Sequence, residues 1–169
     1  MEDVWRGAVW RQFGAALEML ENAVLACPEE LWGGRGRRPE FWYVVYHTLF
    51  YLDLNLSGSA EGFAPPEPFT LDELDPAGLM PERVYTKGEL LDYLEHCRAK
   101  CRATVGALTE EAARARCRFG WVEMEFAELL LYNMRHVQHH AAQLNLLLRQ
   151  TTDDAPRWVA AAEDKGGSR

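Results

Sequence analysis

The stretch 132–148, YNMRHVQHHAAQLNLLL, constrains the fold of this chain more than any other. Leu130, Val137, Ala141, Leu144 and Leu148 gather on one side when successive residues are turned by roughly 100°. A helix with such a stripe has to bury it against other elements. Three of the five histidines, His136, His139 and His140, lie in the same stretch. On the helical wheel His140 falls inside the stripe, roughly 35° from its centre, and His136 at its edge. His139 lies roughly 135° away, on the polar side with Glu128, Arg135 and Gln138. His136 and His140 thus form an i, i+4 pair facing the core, and neutral imidazoles one turn apart can share a cation.

Three further segments carry the helical period. Val9, Phe13, Ala16, Leu20 and Val24 predict a helix over 4–26, ended by Cys27-Pro28 because proline disfavours helix at the residue before it. After the polar loop GGRGRR, Pro39 suits the first turn of a second helix running to about Leu56, apolar nearly all round and therefore buried. Thr86 and Glu89 make a capping-box pattern opening a third helix, with Leu90, Leu94, Cys97, Cys101, Val105 and Leu108 on its inner face. Thr109 caps a short extra turn to Ala115, Gly120 breaks the pattern, and the fourth helix runs from about Met124 to Gln150. No strand pattern is visible. The irregular stretch 57–85 holds five of the eight prolines and is long enough to run the length of a bundle. The expectation is an all-α four-helix bundle, with a long crossover connection between helices 2 and 3. Residues 1–150 would form its single domain, and 151–169 a polar tail from which Trp158 folds back onto the bundle.

Charge and composition exclude several partners. The net charge of −8 comes with no basic patch, which argues against nucleic acid. The most apolar run, 41–56, is shorter than a membrane span and carries His47, Asp53 and Asn55. The start MEDVWRG is acidic and polar, unlike a signal peptide, so a soluble, cytoplasmic protein is expected. Cys27, Cys97, Cys101 and Cys117 form no CxxC pair. Cys97 and Cys101, one turn apart, could bind a metal, but their apolar neighbours make small core residues the better reading. The aromatic group Phe41, Trp42, Tyr43 and Tyr46 is likewise read as core, and His96 as a solvated histidine.

His47 sits in the middle of the buried second helix, where an imidazole must hydrogen-bond or ligate. Joined to His136 and His140, it would complete three protein ligands with an open fourth position. Unjoined, it is a hydrogen-bonded core residue, and spacing alone leaves both readings open. Asp53 or Asn55 would then orient a ligating imidazole, and Tyr132, one turn before His136, would either reach a substrate or pack in the core. Other chemistries lack their residues. A zincin needs glutamate where this chain has Val137. Di-iron bundles need Glu-x-x-His pairs, and none occurs. There is no G-x-S-x-G elbow for a serine hydrolase.

The succession VYHTLFYLDLNL, a long loop, then RHVQHHAAQLNLLL resembles the DinB-like superfamily over about residues 5–150. The resemblance implies a divalent cation, zinc or nickel, held by His47, His136 and His140. It also implies kinship with thiol-dependent S-transferases and maleylpyruvate isomerases. A low-molecular-weight thiol co-substrate (bacillithiol, mycothiol or glutathione), a small-molecule substrate and a homodimer follow from the same likeness. One departure is visible: many members carry Arg-Gly between the last histidine and Gln, where this chain has Ala141-Ala142 before Gln143. The function implied is a metal-dependent thiol transferase, with no catalytic residue assigned beyond the metal ligands. The alternatives are a noncatalytic metal-binding bundle, acting as sensor or dimerisation module, and a metal-free bundle with structural histidines. Ligating histidines must be neutral, so metal affinity is expected to fall as pH drops through the ~6.5 region.

Overall fold

The periodic segments become the long helices of a computed structural model that describes residues 2–33 and 40–163. Pro39, the polar loop from residue 34 on and residues 164–169 lie outside the described residues. In chain order the elements are α1 (Glu2–Ala26), α2 (Glu29–Trp32), α3 (Phe41–Ser57), α4 (Lys87–Gly106), α5 (Glu110–Arg114), β1 (Arg116–Phe119), β2 (Val122–Glu125) and α6 (Phe126–Thr152). Helix α1 packs on α4 and α6, and α3 packs on the same two, so α1 and α3 hold opposite corners of an all-α bundle. Arg6 donates to the Leu108 carbonyl while Lys87 pairs with Glu29, so α1 and α4 are antiparallel. Helix α6 is antiparallel to α3: Asn133 meets Leu52 and Asn55, and His140 meets His47. Among the described residues no helix is long and apolar enough to cross a membrane.

Helix α3 is the buried one, with 13 of its 17 residues inside. Phe41, Trp42 and Tyr46 are core residues, as their spacing implies. Its buried carboxylate, Asp53, accepts from Tyr93 Oη at 3.1 Å and pairs with Lys100, which ties α3 to α4. His96 is half-exposed, 3.7 Å from the same carboxylate. The four cysteines are buried and free. Burial pushes the Cys27 and Cys101 thiols up to about 12, so neither offers a thiolate to a metal or a substrate.

Side-chain caps set the start of α4 as expected. Thr86 Oγ1 accepts from the Glu89 amide, and Glu89 accepts in return from the Thr86 amide at 2.8 Å. Thr109 caps α5 in the same way, through the Ala112 amide. Between α3 and α4 the proline-rich stretch is pinned by aromatics. Phe69 stacks on Tyr93 with ring centres 4.4 Å apart, Tyr46 donates to the Thr70 carbonyl and Tyr51 to that of Glu73. These anchors seat a 3-10 turn, Asp72–Leu74, against α3.

Two expectations fail. A β-hairpin occupies the segment read as a simple break: β1 and β2 pair antiparallel, with Phe119 opposite Val122 and Gly120-Trp121 at the turn. Four-residue strands are too short for a period of two to stand out, and only Cys117 among them is buried. Met124 pairs with Cys117, so α6 begins at Phe126 instead. The hairpin rests on the C-terminal cap of α3, Gly58, whose φ of 72° is left-handed.

The second failure is Trp158, which is 68% exposed. The tail docks instead through Ala162, which is buried and donates its amide to the Arg11 carbonyl, while Gln12 donates to the Ala160 carbonyl. Gly14 makes room for it, since a Cβ there would come within 2.6 Å of the Ala162 methyl. Gly14→Ala should therefore displace the tail and speed tryptic cleavage after Arg157. Melting temperature should not fall, because alanine favours the helix by about 1 kcal/mol. Unchanged cleavage kinetics would contradict this docking.

Candidate metal centre

Each of two antiparallel helices presents one strip to the other. On α3, His47, Tyr51 and Asn55 follow at i, i+4 and i+8; on α6, Tyr132, His136 and His140 do the same. The histidine ends meet. Ring centres lie 5.4 Å apart for His47 and His136, 5.0 Å for His47 and His140, and 4.5 Å for His136 and His140. One ring nitrogen from each of these three lies within 4.8 Å of the other two. The structure thus brings together the three histidines that the sequence singled out, from elements nearly ninety residues apart. His139 stays on the exposed face of α6, as the wheel implies.

Hydrogen bonds fix two of the imidazoles. His47 Nδ1 is 2.8 Å from Glu73 Oε2, and the Glu73 side chain is almost wholly buried. His140 Nδ1 is 2.7 Å from Gln143 Oε1, and Gln143 also reaches His139 at 3.1 Å. A carboxylate and an amide oxygen accept only, so each Nδ1 carries the proton and each Nε2 keeps its lone pair for a cation. Burial, followed by the Glu73 carboxylate, raises the pKa of the Tyr43 and Tyr51 phenols, which remain neutral around that carboxylate.

Asp53 and Asn55, expected to orient an imidazole, do not. Asp53 turns to Lys100 and Tyr93, and Asn55 donates to Asn133. The residue in that role by geometry is Glu73. It was missed because it lies on an irregular turn 26 residues after His47, where no periodicity directs attention. Gln143 was legible in principle, three residues after His140 and so on the same helical face. Tyr132, left between substrate and core, lines the pocket.

Burial keeps two of the three rings, His136 and His140, neutral. Burial, then the neighbouring His140, His47 and His139, lowers the pKa of His136 to about 3. Burial lowers that of His140 to about 4, against the opposing pull of Gln143. Proton competition at these two rings therefore sets in well below the ~6.5 region, not within it as ordinary imidazoles imply. The sign for stability follows from proton uptake. Above pH 6.5 both rings are neutral in the folded and unfolded chain. As pH falls below 6.5 the unfolded chain takes up protons that the folded chain refuses, so stability drops until about pH 3–4. The loss in denaturant midpoint between pH 7.5 and 5, measured without metal, should shrink in a His136→Asn/His140→Asn variant. An equal loss in both proteins would contradict the depressed values.

The residues present fit a divalent cation. His136 Nδ1 is buried without a hydrogen-bond partner, a costly arrangement unless something binds there. Three imidazole nitrogens are a donor set suited to zinc or nickel. The adjoining pocket, about 360 Å³, is walled by Tyr51, Asn55, Trp121 and Tyr132.

Among solved structures, a DinB-like protein from Bacillus subtilis superposes with a TM-score of 0.60 at 16% sequence identity, covering 87% of this chain and 94% of that one. At this identity the likeness speaks for the fold. Among curated proteins none matches the sequence. The pattern of the DinB superfamily matches residues 12–144, most of the chain and all three clustered histidines, and the chain belongs to that superfamily.

Proposed function

We propose that this protein is a divalent-metal-dependent enzyme that adds a low-molecular-weight thiol, as nucleophile, to a small electrophilic substrate. The observation that carries the reading is the convergence of His47, His136 and His140 beside an open pocket, with two of the rings held by Glu73 and Gln143. Zinc or nickel, a homodimer and a cytoplasmic setting belong to the same proposal.

A bound divalent cation supplies Lewis acidity, lowering the pKa of a thiol or water in an open coordination position toward neutrality. The chain does the rest. Glu73 and Gln143 hold the His47 and His140 rings in one tautomer, so their Nε2 lone pairs need no reorganisation on binding. His136 is kept neutral by burial. Trp121 packs edge-on against Tyr51 with ring centres 5.5 Å apart and lines the pocket from the hairpin side.

The test is steady-state turnover of epoxides, activated aryl halides and cis-alkene diacids with glutathione, bacillithiol and mycothiol, before and after metal removal. Thiol-dependent turnover that is lost with the metal and regained on its return supports the proposal. A metal-loaded protein in which no thiol accelerates any of these reactions is a noncatalytic metal-binding bundle instead.

A further inference from the structure

The pocket continues past the histidines, and its far end is built differently. From His47 to Asn55, α3 rises about 12 Å. The wall over that distance consists of Tyr51, Tyr132 and the hairpin tip Trp121, and the lining includes no lysine, arginine or carboxylate. Trp121 is 47% exposed, yet fixed by stacking on Phe119 and by its edge contact with Tyr51. Asn55 is 1% exposed, and its orientation is set from behind. Asn133 Nδ2 donates to the Leu52 carbonyl, which leaves Asn133 Oδ1 to accept from Asn55 Nδ2 at 3.4 Å. Asn55 Oδ1 remains buried with no partner. An unpaired acceptor in a pocket wall selects for a ligand that brings a donor, because any other ligand leaves its desolvation cost in place.

We infer that this end is the substrate subsite. It takes a planar, unsaturated or aromatic body about 10 Å long, uncharged over its distal part, against Trp121 and Tyr51, with a distal O–H or N–H donating to Asn55 Oδ1. Trp121 and Asn55 are specificity-determining residues, and the reacting end of the substrate lies toward the three histidines. The orientation rests on the proposed chemistry at the histidines; the subsite itself does not. A body that is charged over its distal part is disfavoured at this wall, because Tyr51, Asn55, Trp121 and Tyr132 carry no fixed positive charge.

The experiment measures binding of 2-naphthol and 2-methoxynaphthalene, which differ in the donor alone, and of cyclohexanol, which keeps the donor but is not planar. Titrations followed by NMR use both chelator-treated and zinc-loaded protein. The expected result is a roughly 10-fold preference for 2-naphthol over its methyl ether in both forms, lost in Asn55→Leu, in which only 2-naphthol weakens. Trp121→Leu should weaken both aromatic probes about 3- to 10-fold and leave cyclohexanol unchanged. Wild-type NOEs should connect the naphthol ring to the Trp121 indole, a readout that stands if Asn55→Leu fails to fold. A preference seen only with zinc, or one that survives Asn55→Leu, places the hydroxyl on the metal or a histidine and overturns the inference. So does the absence of NOEs to Trp121. A protein that takes no zinc yet shows the naphthol preference refutes the metal reading and leaves the subsite standing. Zinc uptake without the preference does the reverse.

Discussion

His140→Ala is expected to abolish metal binding, while His139→Ala leaves it nearly unchanged. The two residues are neighbours in the chain, and both touch Gln143. They differ in direction: His140 closes on His47 and His136 with ring centres 5.0 and 4.5 Å away, whereas His139 is exposed on the outer face. Loss of one of three protein ligands leaves two imidazoles, too few for the closed or three-ligand sites that hold zinc tightly. His139→Ala removes a contact to Gln143 and an edge contact to the His140 ring, while the Gln143 oxygen still accepts from His140. Metal content of the two purified variants and isothermal titration with zinc decide it. Retention in the His140 variant with loss in the His139 variant would overturn the assignment of faces on α6.

Glu73→Ala should weaken metal binding by about 10- to 100-fold, the usual effect of removing a carboxylate that orients a ligating histidine. Two consequences combine. The His47 ring loses its Nδ1 partner, so the tautomer and the direction of Nε2 are no longer fixed. A proton donor is also left in a half-buried site with nothing to accept from it. Glu73→Gln keeps an acceptor oxygen and removes the charge, so it should recover much of the affinity that Glu73→Ala loses. That recovery separates positioning of His47 from mere support of the loop. If Gln and Ala reduce affinity alike while both variants melt at the wild-type temperature, Glu73 does not act through its hydrogen bond.

What could be read ahead of the structure follows from where periodicity operates. On α6 the 100° step separated His140 from His139 correctly, because the stripe from Leu130 to Leu148 defines a core direction along the whole helix. The Thr86–Glu89 capping box was legible for a similar local reason: both hydrogen bonds join residues three apart. The same arithmetic, applied to α3, would have dismissed Asp53 as a partner of His47. Six steps place it roughly 120° away, whereas Tyr51 and Asn55 fall within roughly 40° and 80° and do line the pocket. Glu73, the hairpin and the tail contact escaped for a different reason. Glu73 and the tail depend on pairings between distant residues, and the hairpin on strands too short for a pattern to repeat. Glu73 reaches His47 from an irregular turn, Cys117 meets Met124 in strands of four residues, and Ala162 settles over Gly14, two small residues with no signature of their own.

The central claim is that α3 and α6 together hold one cation. It is tested most directly by the metal content of the purified protein after dialysis against zinc, for the wild type and for His47→Ala. His47 is the sole histidine of the cluster on α3, and it stands between the other two rings and Glu73. The account predicts about one equivalent per chain in the wild type and a large loss in the variant, with the far-ultraviolet spectrum of a helical bundle kept in both. Stoichiometric zinc surviving in His47→Ala, or none bound by the wild type, would contradict it.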